Sequence, residues 1–104
     1  MFTLVFDEIM LKQLKRAAKN TDIKNAITRM LDKIEENGPR AGKLLDSRLH
    51  IYEVKQLKPA LRLYYRIMQE KSEAYVFLFE MKTSEKKQNE TIDMLRSRIR
   101  DRRG

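Results

Sequence analysis

Apolar and polar positions alternate along this chain with two different periods, and the change of period marks its elements. Residues 2–6 form a short apolar run of β type. Asp7 is placed to cap a following helix, with Glu8 in its favourable first turn. Leu11, Leu14 and Ala18 recur at helical spacing to about residue 19, and Asn20-Thr21-Asp22 breaks that helix and caps another. In the second helix Ile23, Ile27, Met30, Leu31 and Ile34 make one apolar stripe, ended by Asn37-Gly38-Pro39. Residues 40–48 read as a basic loop. The period then drops to two. Over 50–58, His50, Tyr52, Val54 and Gln56 point one way, and Ile51, Glu53, Lys55 and Leu57 the other. Pro59 marks a turn. Leu61, Leu63, Tyr65 and Ile67 face the core, while Arg62, Tyr64 and Arg66 face out. Residues 69–73 make a second turn, and 74–81 is apolar on both faces, as a central strand covered by helices should be. Ile92, Leu95 and Ile99 outline a last helix, which Ser84 or Asn89 can cap.

The reading is an α+β domain of order β-α-α-β-β-β-α. It has an antiparallel sheet with two N-terminal helices packed on one face. At 104 residues it is one domain, 1–104, with a single core and no room for a separate cofactor domain. No repeat, low-complexity stretch or linker interrupts it.

Charge narrows the chemistry. The formal balance is +8, which points to an anionic partner. Residues 38–68 carry 7 basic and 2 acidic groups, so more than half of the excess lies on the loop and first two strands of the sheet. A generic solubility charge is the plainer alternative. The absence of cysteine excludes a disulfide scaffold and a thiolate zinc site, and a single His, His50, argues against a protein-ligated transition metal. No apolar run approaches about 18 residues, so no membrane span is expected. The first residues turn acidic too soon for a signal peptide, and a cytoplasmic location is expected.

Three segments carry a resemblance. They are His50-Ile51-Tyr52-Glu53-Val54-Lys55, Leu61-Arg62-Leu63-Tyr64-Tyr65, and the run from Phe79 through Lys82 to Lys86 and Lys87. In order and spacing they resemble the RelE/ParE superfamily of toxins from type II toxin–antitoxin pairs, most closely its HigB-like, phage-derived branch. The resemblance follows the whole chain and is most specific over residues 49–87. It implies a microbial RNase-like fold, a cognate antitoxin of helix-turn-helix type as partner, and ribosome-dependent cleavage of mRNA. The ParE branch instead implies gyrase as target, and a catalytically degenerate nucleic-acid-binding member is a third reading. No His or Tyr follows Tyr75, where many RNase members place a catalytic side chain.

Metal-independent cleavage of this kind uses the 2′-hydroxyl of RNA as nucleophile and requires no cofactor. Arg62 suits the dianionic phosphorane, because its planar fork binds two oxygens and stays charged. The plainer reading pairs it with Glu53 across the hairpin. Lys55 and Glu53 are the candidate bases, each also readable as a phosphate contact or an ion-pair partner. Tyr64 is placed to stack on a base or donate a proton, or to be a half-buried sheet tyrosine. Lys58, Arg66, Lys82, Lys86 and Lys87 are candidate RNA contacts. His50 begins a strand, and Arg96, Arg98, Arg100, Arg102 and Arg103 line the last helix as candidate rRNA contacts or a charged terminus. Outward placement predicts that Arg62→Ala and Lys55→Ala leave thermal stability nearly unchanged.

Overall fold

The computed structural model describes residues 1–103, for the last two of these the backbone only. Strand β1 (Thr3–Phe6) leads into helices α1 (Glu8–Ala17) and α2 (Thr21–Asn37), then into strands β2 (Lys43–Asp46), β3 (Ile51–Gln56), β4 (Leu61–Met68) and β5 (Glu73–Met81), and finally into helix α3 (Glu85–Arg103). The sheet order is β1-β5-β4-β3-β2. Strand β1 runs parallel to β5, and the other pairs are antiparallel.

The α+β class and the two helices on one face are as the sequence implies. Asp7 caps α1 by accepting from the Ile9 N–H at 3.0 Å, and Asn20 caps α2 by accepting from Ile23 at 3.2 Å. Ala26, Ile27, Met30 and Ile34 of α2 are buried with Val54, Leu61, Leu63, Tyr65 and Ile67 of the sheet. Burying each of the larger apolar side chains contributes about 1.5–3 kcal/mol. Gly38 ends α2 at φ +55, with the Phe2 ring where a Cβ would project. Its carbonyl accepts from the Tyr65 hydroxyl at 3.0 Å. The far end of β5 runs past β1, and there Gln13 of α1 bonds both the N–H and the C=O of Phe79, standing in for a neighbouring strand.

Four features differ from the expectation. The basic segment 40–48 contains a further strand, β2, pairing Lys43 with Glu53 and Leu44 with Tyr52. It is a four-residue edge strand with a bulge, and too short to show alternation. The sheet is mixed, because two helices separate β1 from the rest and no hairpin fixes its direction. His50 sits at φ +56 in the turn before β3, where Asp46 accepts from the N–H groups of Arg48 and Leu49. Most consequentially, the outward face of β3 and β4 is not open to solvent. Helix α3 begins at the earlier of its two candidate caps, with Ser84 Oγ accepting from Lys87. It lies across that face, so Ile92, Leu95 and Ile99 pack on Ile51, Tyr64, Phe77 and Leu78 in a second core.

Candidate functional site

The β3–β4 register sets the site. Arg62 stands opposite Lys55 on β3 and Glu80 on β5, and Tyr64 stands opposite Glu53. Glu53 is therefore diagonal to Arg62 on the same face, within reach of long side chains. Arg62 Nη1 donates to both Glu53 oxygens, at 3.1 and 3.0 Å. Lys55 Nζ is 3.7 Å from Glu53 Oε1, and Gln88 of α3 donates to Glu53 Oε2 at 2.5 Å. Glu53 is 2% and Arg62 9% exposed, whereas about half of the Lys55 side chain meets solvent. Arg62 Nε is buried and has no partner.

These groups form the floor of a groove of about 650 Å³ between the β2–β3 edge and α3. Lys43 and Lys55 give it a cationic side, and Glu85, Gln88, Asn89 and the ion-paired Asp93 and Arg96 form the α3 wall. Gly42 sits where a Cβ would meet the Glu53 carbonyl and the Tyr65 hydroxyl, so the close approach of backbone beside the site needs glycine there.

Deeper under α3 the polar network continues. Tyr64 is fully buried and donates to Glu80 Oε2 at 2.7 Å, and Thr91 of α3 donates to Glu80 Oε1 at 2.8 Å. Burial, reinforced by the Glu80 carboxylate, pushes the Tyr64 phenol above its ordinary value. Tyr64 thus stays protonated and faces Glu80, not the groove. Its expected outward role as a stacking platform does not hold in this arrangement, because α3 covers it.

Of the residues singled out from the sequence, Glu53, Lys55 and Arg62 come together. Lys58 lies elsewhere, beside Pro59 and the Asp22 and Arg29 of α2. Arg66 is four residues further along β4, donates to the Leu49 carbonyl at 2.8 Å and lines a separate cavity with Asp7, Tyr75 and Arg98. Lys82, Lys86 and Lys87 are exposed, the last two on the first turn of α3 beside the groove wall. Arg96 pairs with Asp46 at 2.8 Å, and Arg98 with Asp7 at 2.8 and 2.9 Å, so both serve to dock α3. Burial alone would raise Asp7, but the hydrogen bonds from Arg98, Ile9 and Tyr75 outweigh it and hold its carboxyl below the ordinary range. The Arg102 and Arg103 side chains lie outside the described residues. Gln88, Thr91 and Glu80 were not singled out from the sequence. Glu80, an acid ending an otherwise apolar strand, was the available signal.

No protein-family model matches the chain, and a search of curated proteins finds no match. Solved structures do match. The isolated Escherichia coli RelE toxin superposes with a TM-score of 0.69 at 21% identity, over 91% of this chain and 99% of that one. A chain of the intact E. coli RelBE toxin–antitoxin complex gives 0.67 at 22%, over 81% and 100%. One of the YoeB–YefM complex from Staphylococcus aureus gives 0.60 at 18%, over 80% and 99%. Taken with the sheet order and the helices on both faces, these matches establish that the chain has the RelE-type toxin fold.

Proposed function

We propose that the chain is the toxin of a type II toxin–antitoxin pair and cleaves mRNA in the ribosome, a metal-independent endoribonuclease closest to the HigB-like branch. The observation that carries this reading is the Glu53–Arg62 pair, fixed on two adjacent strands at the floor of a groove that Lys43 and Lys55 also line. A carboxylate base beside a guanidinium is what attack of a 2′-hydroxyl on phosphorus calls for.

Glu53 takes the proton from the 2′-hydroxyl, and the 2′-oxygen attacks phosphorus. Arg62 stabilises the phosphorane as the bond to the 5′-oxygen breaks, leaving a 2′,3′-cyclic phosphate. Lys55, on the groove rim, is the nearest charged donor for the departing oxygen. Tyr64 acts from beneath by holding Glu80. Lys86 and Lys87, exposed beside the groove wall, and the exposed Lys82 contact RNA phosphates, and Lys58 and Arg66 are outlying contacts. A cognate antitoxin, of helix-turn-helix type, silences the protein by covering the groove. The whole acts in the cytoplasm, and no helix among the described residues is long and apolar enough to cross a membrane.

Primer extension on mRNA from cells expressing the protein tests the reading, beside a gyrase supercoiling assay with purified protein. Discrete cuts within translated codons, lost in Glu53→Gln and reduced in Arg62→Lys, are expected. Intact mRNA with inhibited gyrase would replace this reading with a ParE-like one, and inactivity in both assays with a binding domain. Co-expression with the adjacent gene and a pull-down tests the antitoxin.

A further inference from the structure

An ionised carboxylate offers about four lone-pair directions, and hydrogen bonds take three of those of Glu53. Arg62 Nη1 donates to each oxygen and the Gln88 amide to Oε2, while the Lys55 ammonium stands 3.7 Å from Oε1 as an ion pair. Oε2 therefore has no position left for an incoming hydroxyl, and the one left on Oε1 lies beside a cation. A hydroxyl that binds Oε2 must displace one of its partners.

The three partners are not equally replaceable. Arg62 is itself buried and fixed on β4, and its contacts are charge-assisted. Lys55 is charged and lies on β3, the strand that carries Glu53. Gln88 is neutral, comes from a different element and reaches Glu53 through a flexible stem. One turn further on, Thr91 shares its helical face and holds Glu80, while Ile92 and Leu95 are packed in the core below. The helix is thus anchored beyond Gln88, and the Gln88 side chain can rotate away without α3 moving. It also lines the groove through which a strand of RNA would approach.

We propose that Gln88 is an intramolecular plug. Its amide holds the place on Glu53 Oε2 that the substrate 2′-hydroxyl takes, and RNA reaches that oxygen by displacing it. The inference rests on Glu53 being the general base of the proposed endoribonuclease. Its distinctive consequence is a gain of activity on removing a residue that touches the base.

The test uses the full chain with ribosomes programmed with an mRNA carrying either a 2′-hydroxyl or a 2′-deoxy nucleotide at the cleaved position. Wild type, Gln88→Ala and Gln88→Asn, whose amide is one methylene too short to reach, are compared, with Glu53→Gln as the inactive reference. Gln88→Ala and Gln88→Asn should raise kcat/KM roughly tenfold, about the worth of one hydrogen bond to a charged acceptor. Affinity for the 2′-deoxy complex should stay within about twofold, because the plug competes with the hydroxyl alone. Cleavage by the two variants with a silent wild type also supports the plug. A fall in cleavage with 2′-deoxy affinity retained would instead make Gln88 a positioning residue and overturn it. An equal gain in 2′-deoxy affinity would overturn it as well, showing general loosening of the groove. Cleavage by none of the proteins, Glu53→Gln included, refutes the endoribonuclease and the plug together, whereas a cleaving wild type with no gain refutes the plug alone.

Discussion

Arg62→Ala is expected to damage the fold as well as the site. Glu53 is 2% exposed and receives both of its shortest charged contacts from Arg62 Nη1. Truncation strands a buried carboxylate, and removing one member of a buried ion pair costs about 3–5 kcal/mol. Lys55 at 3.7 Å returns part of this, about 1 kcal/mol because its side chain is half in solvent. The net loss is then about 2–4 kcal/mol. For a domain of this size each kcal/mol lowers the melting temperature by about 4 °C or more, so Arg62→Ala should melt roughly 10–15 °C below wild type. The double variant Glu53→Gln/Arg62→Met removes both charges and keeps the volume, and should recover to within about 1–2 kcal/mol of wild type. Urea and thermal denaturation followed by far-UV circular dichroism measure both. An Arg62→Ala protein that melts within about 2 °C of wild type would show that Glu53 does not depend on Arg62, and would refute the buried-pair argument. The outcome bears on function too. A loss of cleavage in Arg62→Ala mixes lost catalysis with unfolding, and Arg62→Lys is the cleaner probe, because the charge stays while the planar fork is lost.

Four further outcomes are expected. Asp7→Asn should lose about 1–3 kcal/mol at pH 7. Because the Asp7 carboxyl is held low in the folded state, its contribution is present above about pH 4 and fades as pH falls through the folded value, so the variant should show a flatter acid limb in pH-dependent urea melts. Tyr64→Phe should cost about 1–2 kcal/mol through the lost bond to Glu80 and change cleavage little, as measured by melts and primer extension. Replacing the exposed Lys82, Lys86 and Lys87 together with Ala should leave the melting temperature unchanged and reduce the log–log salt slope of ribosome binding by about two. Gly42→Ala should unfold the β2 edge beside Glu53, seen as faster amide exchange at residues 43–46, because its Cβ would collide with the Glu53 carbonyl.

The helices and the β4 alternation were legible because one side of each is uniformly apolar: Ile27, Met30 and Ile34 on α2, and Leu61, Leu63 and Ile67 on β4. The bonding of Glu53 to Arg62 was legible for a related reason, since a two-residue period and a tight turn at Pro59 fix which side chains share a face. What covers that face was not. The stripe Ile92, Leu95, Ile99 announces a helix that must dock somewhere, but an outward row of Glu53, Lys55, Arg62 and Tyr64 reads alike whether it meets water or a helix that brings polar partners. Strand β2 was hidden because its pairing is made by backbone, to which side-chain pattern is blind.

The docking of α3 also changes what the net charge means. Four carboxylates on four different elements each receive one α3 side chain: Asp7 before α1 takes Arg98, Asp46 at the end of β2 takes Arg96, Glu53 on β3 takes Gln88, and Glu80 on β5 takes Thr91. These four of the chain's 15 acidic residues are therefore spent holding a helix over the sheet. Arg96 and Arg98 are spent with them and do not count as RNA contacts, whereas Lys82, Lys86 and Lys87 remain on the surface. The polar seam also explains why α3 fits over charged side chains at all. An apolar helix laid there would leave acceptor positions on Glu53 and Glu80 covered and unfilled, whereas one carrying Gln88 and Thr91 three residues apart meets both carboxylates from a single face. The same complementarity that secures the helix places Gln88 on the group that the proposed reaction needs free.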